Sequence, residues 1–167
     1  MFMDLTAIVR RHFCDVFSAN RLDAFFYQFG IPIFMSLISM FVMNGVGDSE
    51  LSALISAFSI FSALLVTAMF SIYSIALIPE KTSDDPIKKE QYERQKLDER
   101  KIISQLNDNI SYLILIGVVI VLLSILLMSL VYLTYCFKLI LCFFVLHYLG
   151  NFLFVVRKVH ALLSAVR

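Results

Sequence analysis

The chain of 167 residues is 60% hydrophobic and 16% charged, with 16 Phe, no Trp and a formal net charge of +1. A soluble domain averages about 45–50% apolar and about 25% charged residues, so this balance points to a membrane protein. Near-neutral charge supplies no bulk field for nucleic acid or acidic ligands, so direct nucleic-acid binding is not expected.

Residues 1–22 alternate at helical spacing, with Phe2, Leu5, Ile8, Val9, Phe13, Val16 and Phe17 to one side and Asp4, Arg10, Arg11, Asp15 and Ser18 to the other. This pattern fits a helix lying in the headgroup plane, its Arg residues near anionic lipid. It fits equally an amphipathic helix packed on its own protein. No cleavable secretory signal is expected, because charges run through residues 1–20 without the basic-then-apolar order of such a signal.

A first hairpin is predicted over residues 24–78. Its first span, 24–43, just reaches the roughly 20 apolar residues that a crossing requires, contains Pro32, and ends at the turn Asn44-Gly45-Val46-Gly47-Asp48. The second span, 51–77, is long enough to tilt or protrude. Along it Ser52, Ser56, Ser59, Ala63, Thr67 and Ser74 recur every three to four residues or a multiple of that, while Phe58, Leu65 and Met69 lie off the stripe. Small residues let helix backbones approach and hydroxyls bond across an interface, which reads as an oligomer seam. The alternative is a pore wall wetted by those hydroxyls.

Residues 79–109 carry 15 of the 27 Asp, Glu, Lys and Arg residues. Asp85 fits an N-cap and Pro86 the first helical position. Beyond them the pairs Lys89–Glu93, Glu90–Arg94 and Arg94–Asp98 stand four apart, each contributing about 0.2–0.5 kcal/mol on an exposed helix. One continuous helix is predicted from about 86 to 135, running from this charged segment into a third span at 110–135. The charged part is either a solvated stalk or a docking surface for a soluble partner through Lys88, Lys89, Arg94, Arg100 and Lys101. The third span is almost purely aliphatic and is expected to face lipid over much of its girth.

Phe137-Lys138 is predicted as a tight outer turn before a fourth span at 139–156, within a second hairpin covering 110–157. His147 and Asn151, four apart and flanking Gly150, are the strongly polar residues deep in that span. Such a face must turn inward, since an unpaired polar group in hydrocarbon costs several kcal/mol. It serves either as a hydrogen bond between helices or as a gate or proton-sensitive site. Residues 158–167 form a basic tail.

Thirteen of the 14 Lys and Arg residues lie before span one, in the charged segment or after span four, and only Lys138 lies in an opposite-side turn. By the positive-inside rule both termini are cytoplasmic. Cys14, Cys136 and Cys142 show no metal spacing, and read as small packing residues, with a Cys136–Cys142 bridge as the alternative. No catalytic motif, cofactor site or metal site is evident, so a non-enzymatic protein is expected. The fold class is an all-α integral membrane protein: four transmembrane helices in two hairpins, a long cytosolic extension of the third and an N-terminal amphipathic helix.

This layout, with the stretches 51–77 and 101–115, resembles the four-span membrane subunit of the Kiwa anti-phage defence system. It also resembles, more distantly, the phage-exclusion membrane protein RexB. The first resemblance implies a homo-oligomer of the bacterial inner membrane, for which a tetramer is the working size. It would sense infection and work with a cytosolic effector protein that acts on phage DNA. The second implies an ion-conducting protein that depolarises the membrane.

Overall fold

A computed structural model describes residues 5–17, 21–42, 47–76, 86–129 and 134–165. Six α-helices follow one another: α1 (Leu5–Val16), α2 (Arg21–Phe25), α3 (Ile31–Val42), α4 (Asp48–Ala76), α5 (Pro86–Ser129) and α6 (Thr134–Ala165), with a π-helical turn, Phe26–Gly30, joining α2 to α3. Among the described residues there is no strand. Three helical stretches are long and apolar enough to cross a membrane: Asp48–Ile72, Arg100–Ser129 and Cys136–His160. The apolar stretch of the predicted first span, Phe26–Ser39, is shorter than these. The turn at 44–48 lies mostly outside the described residues, as do the Asp85 cap and the last two residues of the basic tail.

Helix α5 begins at Pro86, as the missing N–H and fixed φ of proline favour. It continues unbroken for 44 residues, because no glycine or proline follows until Gly117 and the Lys, Glu, Gln and Arg of its first turns are good helix formers. Its described part runs to Ser129, residues 130–133 of the predicted helix lie outside the described residues, and α6 is already helical at Thr134. Phe137 and Lys138 therefore lie inside a helix and not in a turn. Cys136 and Cys142 consequently stand six residues apart on one helix, a rise of about 9 Å, beyond the reach of a disulfide; both are free thiols.

The three long helices pack antiparallel with α5 at the centre. Ser111 of α5 meets Met69 of α4, and Gly117 meets Ser62. Tyr112 of α5 meets His147 of α6, and Gln105 meets Lys158. On α4 the buried positions Leu51, Phe58 and Leu65 recur every seven residues, the repeat that keeps one seam against a partner helix. On α5 the buried row is Leu106, Ile110, Leu113, Ile116, Ile120 and Leu127.

Helix α5 is thus the most enclosed of the three, with 44% of its most apolar stretch buried against 28% for α6 and 11% for α4. The third span, expected to face lipid over much of its girth, is divided between a buried row and an exposed side that carries Val118, Leu122, Ile125, Leu126 and Met128. Lipid tails are as apolar as Leu, so an aliphatic surface does not distinguish a lipid neighbour from a helix neighbour. The apolar side of α1 lies on the protein: Ile8, Val9 and Phe13 pack against the core and His12 is buried.

Candidate functional site

Where α1, the π-turn, α5 and α6 converge, polar side chains gather inside an otherwise apolar bundle. Each arrives for a local reason. His12 stands four residues after Ile8 and four before Val16, within the apolar stripe of α1, and is 1% exposed. Pro32 has no N–H to offer the carbonyl of Gln28 four residues earlier. That oxygen instead accepts a hydrogen bond from Nδ1 of His147 at 2.8 Å. The chain accommodates this point by widening into the π-turn, where the Ile31 N–H donates to the Phe26 carbonyl. Such turns mark functional positions in many helices.

The donors and acceptors can be followed around the junction. Because a carbonyl only accepts, neutral His147 carries its proton on Nδ1, and its Nε2 accepts from the Tyr112 hydroxyl at 3.0 Å. Asn151 donates to the His147 carbonyl at 2.8 Å and accepts from the Gln28 amide. The same Gln28 nitrogen lies 3.4 Å from Nε2 of His12. On its other side His12 donates from Nδ1 to Oδ1 of Asn109 at 2.6 Å, and Asn109 donates to Asp15 at 3.0 Å. Asp15 closes the series as the ion-pair partner of Lys158, whose ammonium also lies 4.8 Å over the Phe154 ring. At the rim Arg11 and Asp108 pair at 3.8 Å, but the Arg11 side chain is 69% exposed, so this pair contributes little.

Aromatic rings seal the junction. His12 stacks on Tyr112 with centroids 3.8 Å apart, while Phe29 and Phe143 both stack with His147, at 5.5 and 5.6 Å. Burial holds the His12 imidazole neutral, pulling its pKa down to about 4 against the opposing effect of its hydrogen bond to Asn109. The arrangement joins four segments through an almost fully paired polar network, running from an ion pair at the rim to a tyrosine inside the apolar layer. A fully satisfied network of this kind fixes one packing arrangement, whereas breaking a single member leaves a buried group exposed to its full desolvation cost. Among the described residues no group of three or more His, Cys, Asp or Glu is placed to hold a metal ion.

The predicted residues separate into those the junction uses and those it does not. His147 and Asn151 lie at its centre. His12, Asp15, Gln28, Asn109, Tyr112 and Lys158 join them without having been singled out as site residues. For His12 the signal was present, a titratable side chain inside an apolar stripe; for Gln28 it was Pro32 four positions on. The small-residue stripe of α4 stands apart: Ser52, Ser56, Ser59, Ala63 and Thr67 are exposed, on the side away from Leu51, Phe58 and Leu65. Ser56, Ser59, Thr67 and Ser71 donate back to carbonyls four residues earlier. Ser74 belongs to α4, but its side chain is outside the described residues. Lys88, Lys89 and Arg94 lie on α5 with side chains likewise outside them, whereas Arg100 and Lys101 are exposed.

No family model, no curated protein and no solved structure matches this chain.

Proposed function

We propose that this chain is a non-enzymatic scaffold and sensor of the bacterial inner membrane, serving an anti-phage system by docking a cytosolic effector protein. The observation that carries the reading is the single unbroken α5. It runs from the charged segment, past Asn109 and Tyr112 of the polar junction, into the centre of the bundle. A helix so continuous moves as a unit. A change in how α1, the π-turn and α6 grip the junction is then passed along α5 to its charged part, where Lys88, Lys89, Arg94, Arg100 and Lys101 meet the effector.

A fourth crossing by the π-turn and α3 completes two helical hairpins in this reading. It is supported by the contacts of that segment along α6, from Gln28 at Asn151 to Ser39 at Cys142. The exposed stripe of α4 serves as the seam of a homo-oligomer, with four copies as the working size. The distribution of Lys and Arg supports cytoplasmic termini. The anti-phage setting rests on the resemblance in layout, and phage plating on cells with and without the protein tests it.

The direct test is purification in mild detergent, with native mass measurement and identification of co-purifying proteins. A stoichiometric soluble partner that disappears when the charges of 84–106 are scrambled supports the scaffold; a homo-oligomer without a partner removes it.

The exposed hydroxyls of α4 favour a second reading, an ion-conducting pore lined by Ser52, Ser56, Ser59 and Thr67. Ser56→Leu with Ser59→Leu separates the two. Loss of ion flux with the oligomer intact supports the pore, and loss of assembly supports the seam.

A further inference from the structure

Helices α3 and α6 meet at Ser39 and Cys142 but leave a gap beside the junction. A groove of about 440 Å³ opens between them. Its α6 wall is the stripe Leu146, Gly150, Leu153 and Arg157, spaced four, three and four residues apart, with Phe154 beside it. Its other wall is Ile31 and Met35, four apart on α3. The gap exists because Gly150 carries no side chain: a Cβ built there meets nothing within 4 Å. Both walls run along the helix axes, the direction in which lipid chains lie. Arg157 stands at one end, two helical turns or about 10 Å from Gly150. It is exposed, and among the described residues pairs with no carboxylate, unlike Lys158 beside it, which is held by Asp15.

We propose that this groove binds one membrane phospholipid, with an acyl chain against Gly150 and the phosphodiester on the guanidinium of Arg157. Apart from Tyr27, Gln28 and Arg157 the groove's lining is apolar, and an apolar slot of this size inside a bilayer gains dispersion contacts when an acyl chain fills it. The single unpaired cation at its end matches a phosphate, which guanidinium groups bind in bidentate fashion. Gln28 and Pro32 also line the groove, so the lipid would touch the residue that links His12 to Asn151. The inference rests on the membrane reading above and adds to it a ligand and a route from that ligand to the junction.

The test uses the full-length protein extracted from membranes in mild detergent, with phosphatidylglycerol added as probe and bound lipid counted by native mass spectrometry. The wild-type protein is expected to retain one lipid per protomer. Gly150→Leu, whose side chain enters open space and leaves the fold intact, is expected to weaken that binding at least tenfold. Arg157→Gln is expected to weaken it several-fold, with the thermal unfolding of lipid-free protein unchanged in both. Equal lipid retention by Gly150→Leu overturns the proposal. So does a lower oligomer mass in Gly150→Leu with lipid binding unchanged, which would make the groove a contact between copies. Failure of the membrane reading is separately visible, as protein found in the soluble fraction before any lipid is added.

Discussion

Two tyrosines one helix apart show how little composition says about the worth of a hydroxyl. Tyr112 donates to His147, whereas the hydroxyl of Tyr148, 2% exposed between Phe58 and Phe152, has no hydrogen-bond partner among the described residues. Removing one partner of a buried pair costs about 1–3 kcal/mol, while removing an unpaired buried polar group costs nothing or stabilises. Tyr112→Phe should therefore lower thermal stability in detergent by that order, and Tyr148→Phe should leave it unchanged or raise it; equal losses would contradict the network. His12 makes a pH prediction at the same scale. Its native pKa of about 4 lies below the 6.5 of the unfolded chain, so between these values the unfolded state binds the extra proton and stability rises with pH. The contribution is complete above about pH 6.5 and is lost on acidification towards 4. The unfolding temperature should fall over that window, and His12→Asn, which keeps a donor to Asn109 but does not titrate, should flatten the fall.

At the scale of the helix the contact that sets the spacing of α4 on α5 is Gly117. A Cβ at this position would come within 2.9 Å of the Ser62 hydroxyl and 3.8 Å of the Tyr148 ring. The hydroxyl can rotate away, so Gly117→Ala should cost under about 1 kcal/mol and be relieved by Ser62→Ala. Gly117→Leu has no such escape and should cost about 1–3 kcal/mol by overpacking, with Ser62→Ala giving no relief. Unfolding temperatures of the four variants check this directly. The helices themselves were largely legible: the charged run entering α5, the Pro86 start and the three long apolar stretches all follow from local composition. Their faces were less so. The Ser-Ala stripe of α4 and its Leu51, Phe58, Leu65 seam are both regular, and only packing shows that the seam is the one used within the chain. The junction was legible only in part, since hydrogen bonds from His12 to Asn109 and from Gln28 to Asn151 join residues 97 and 123 positions apart. No local spacing encodes such a pairing.

For the molecule as a whole, the arrangement of ends follows from the junction. The Asp15–Lys158 pair and the His12–Asn109 bond hold α1, the last turns of α6 and the entry of α5 at one end of the bundle. Antiparallel packing sends the start of α6 to the other end. The protein carries its own reporters of this polarity, since Cys14 on α1 and Cys136 at the start of α6 are both exposed, and Cys142 is half-buried with its sulfur 3.0 Å from the Ser39 hydroxyl. In the proposed orientation a membrane-impermeant maleimide added to intact spheroplasts should modify Cys136 and leave Cys14 untouched. Lysis should then expose Cys14, with Cys142 slowest throughout. Cys136→Ser should abolish labelling from outside, and Cys14→Ser should abolish the increment that appears on lysis. Labelling of Cys14 from outside, with Cys136 protected until lysis, would invert the molecule. That result would place the charged part of α5 on the side away from any cytosolic effector, and the scaffold reading would fall with the orientation.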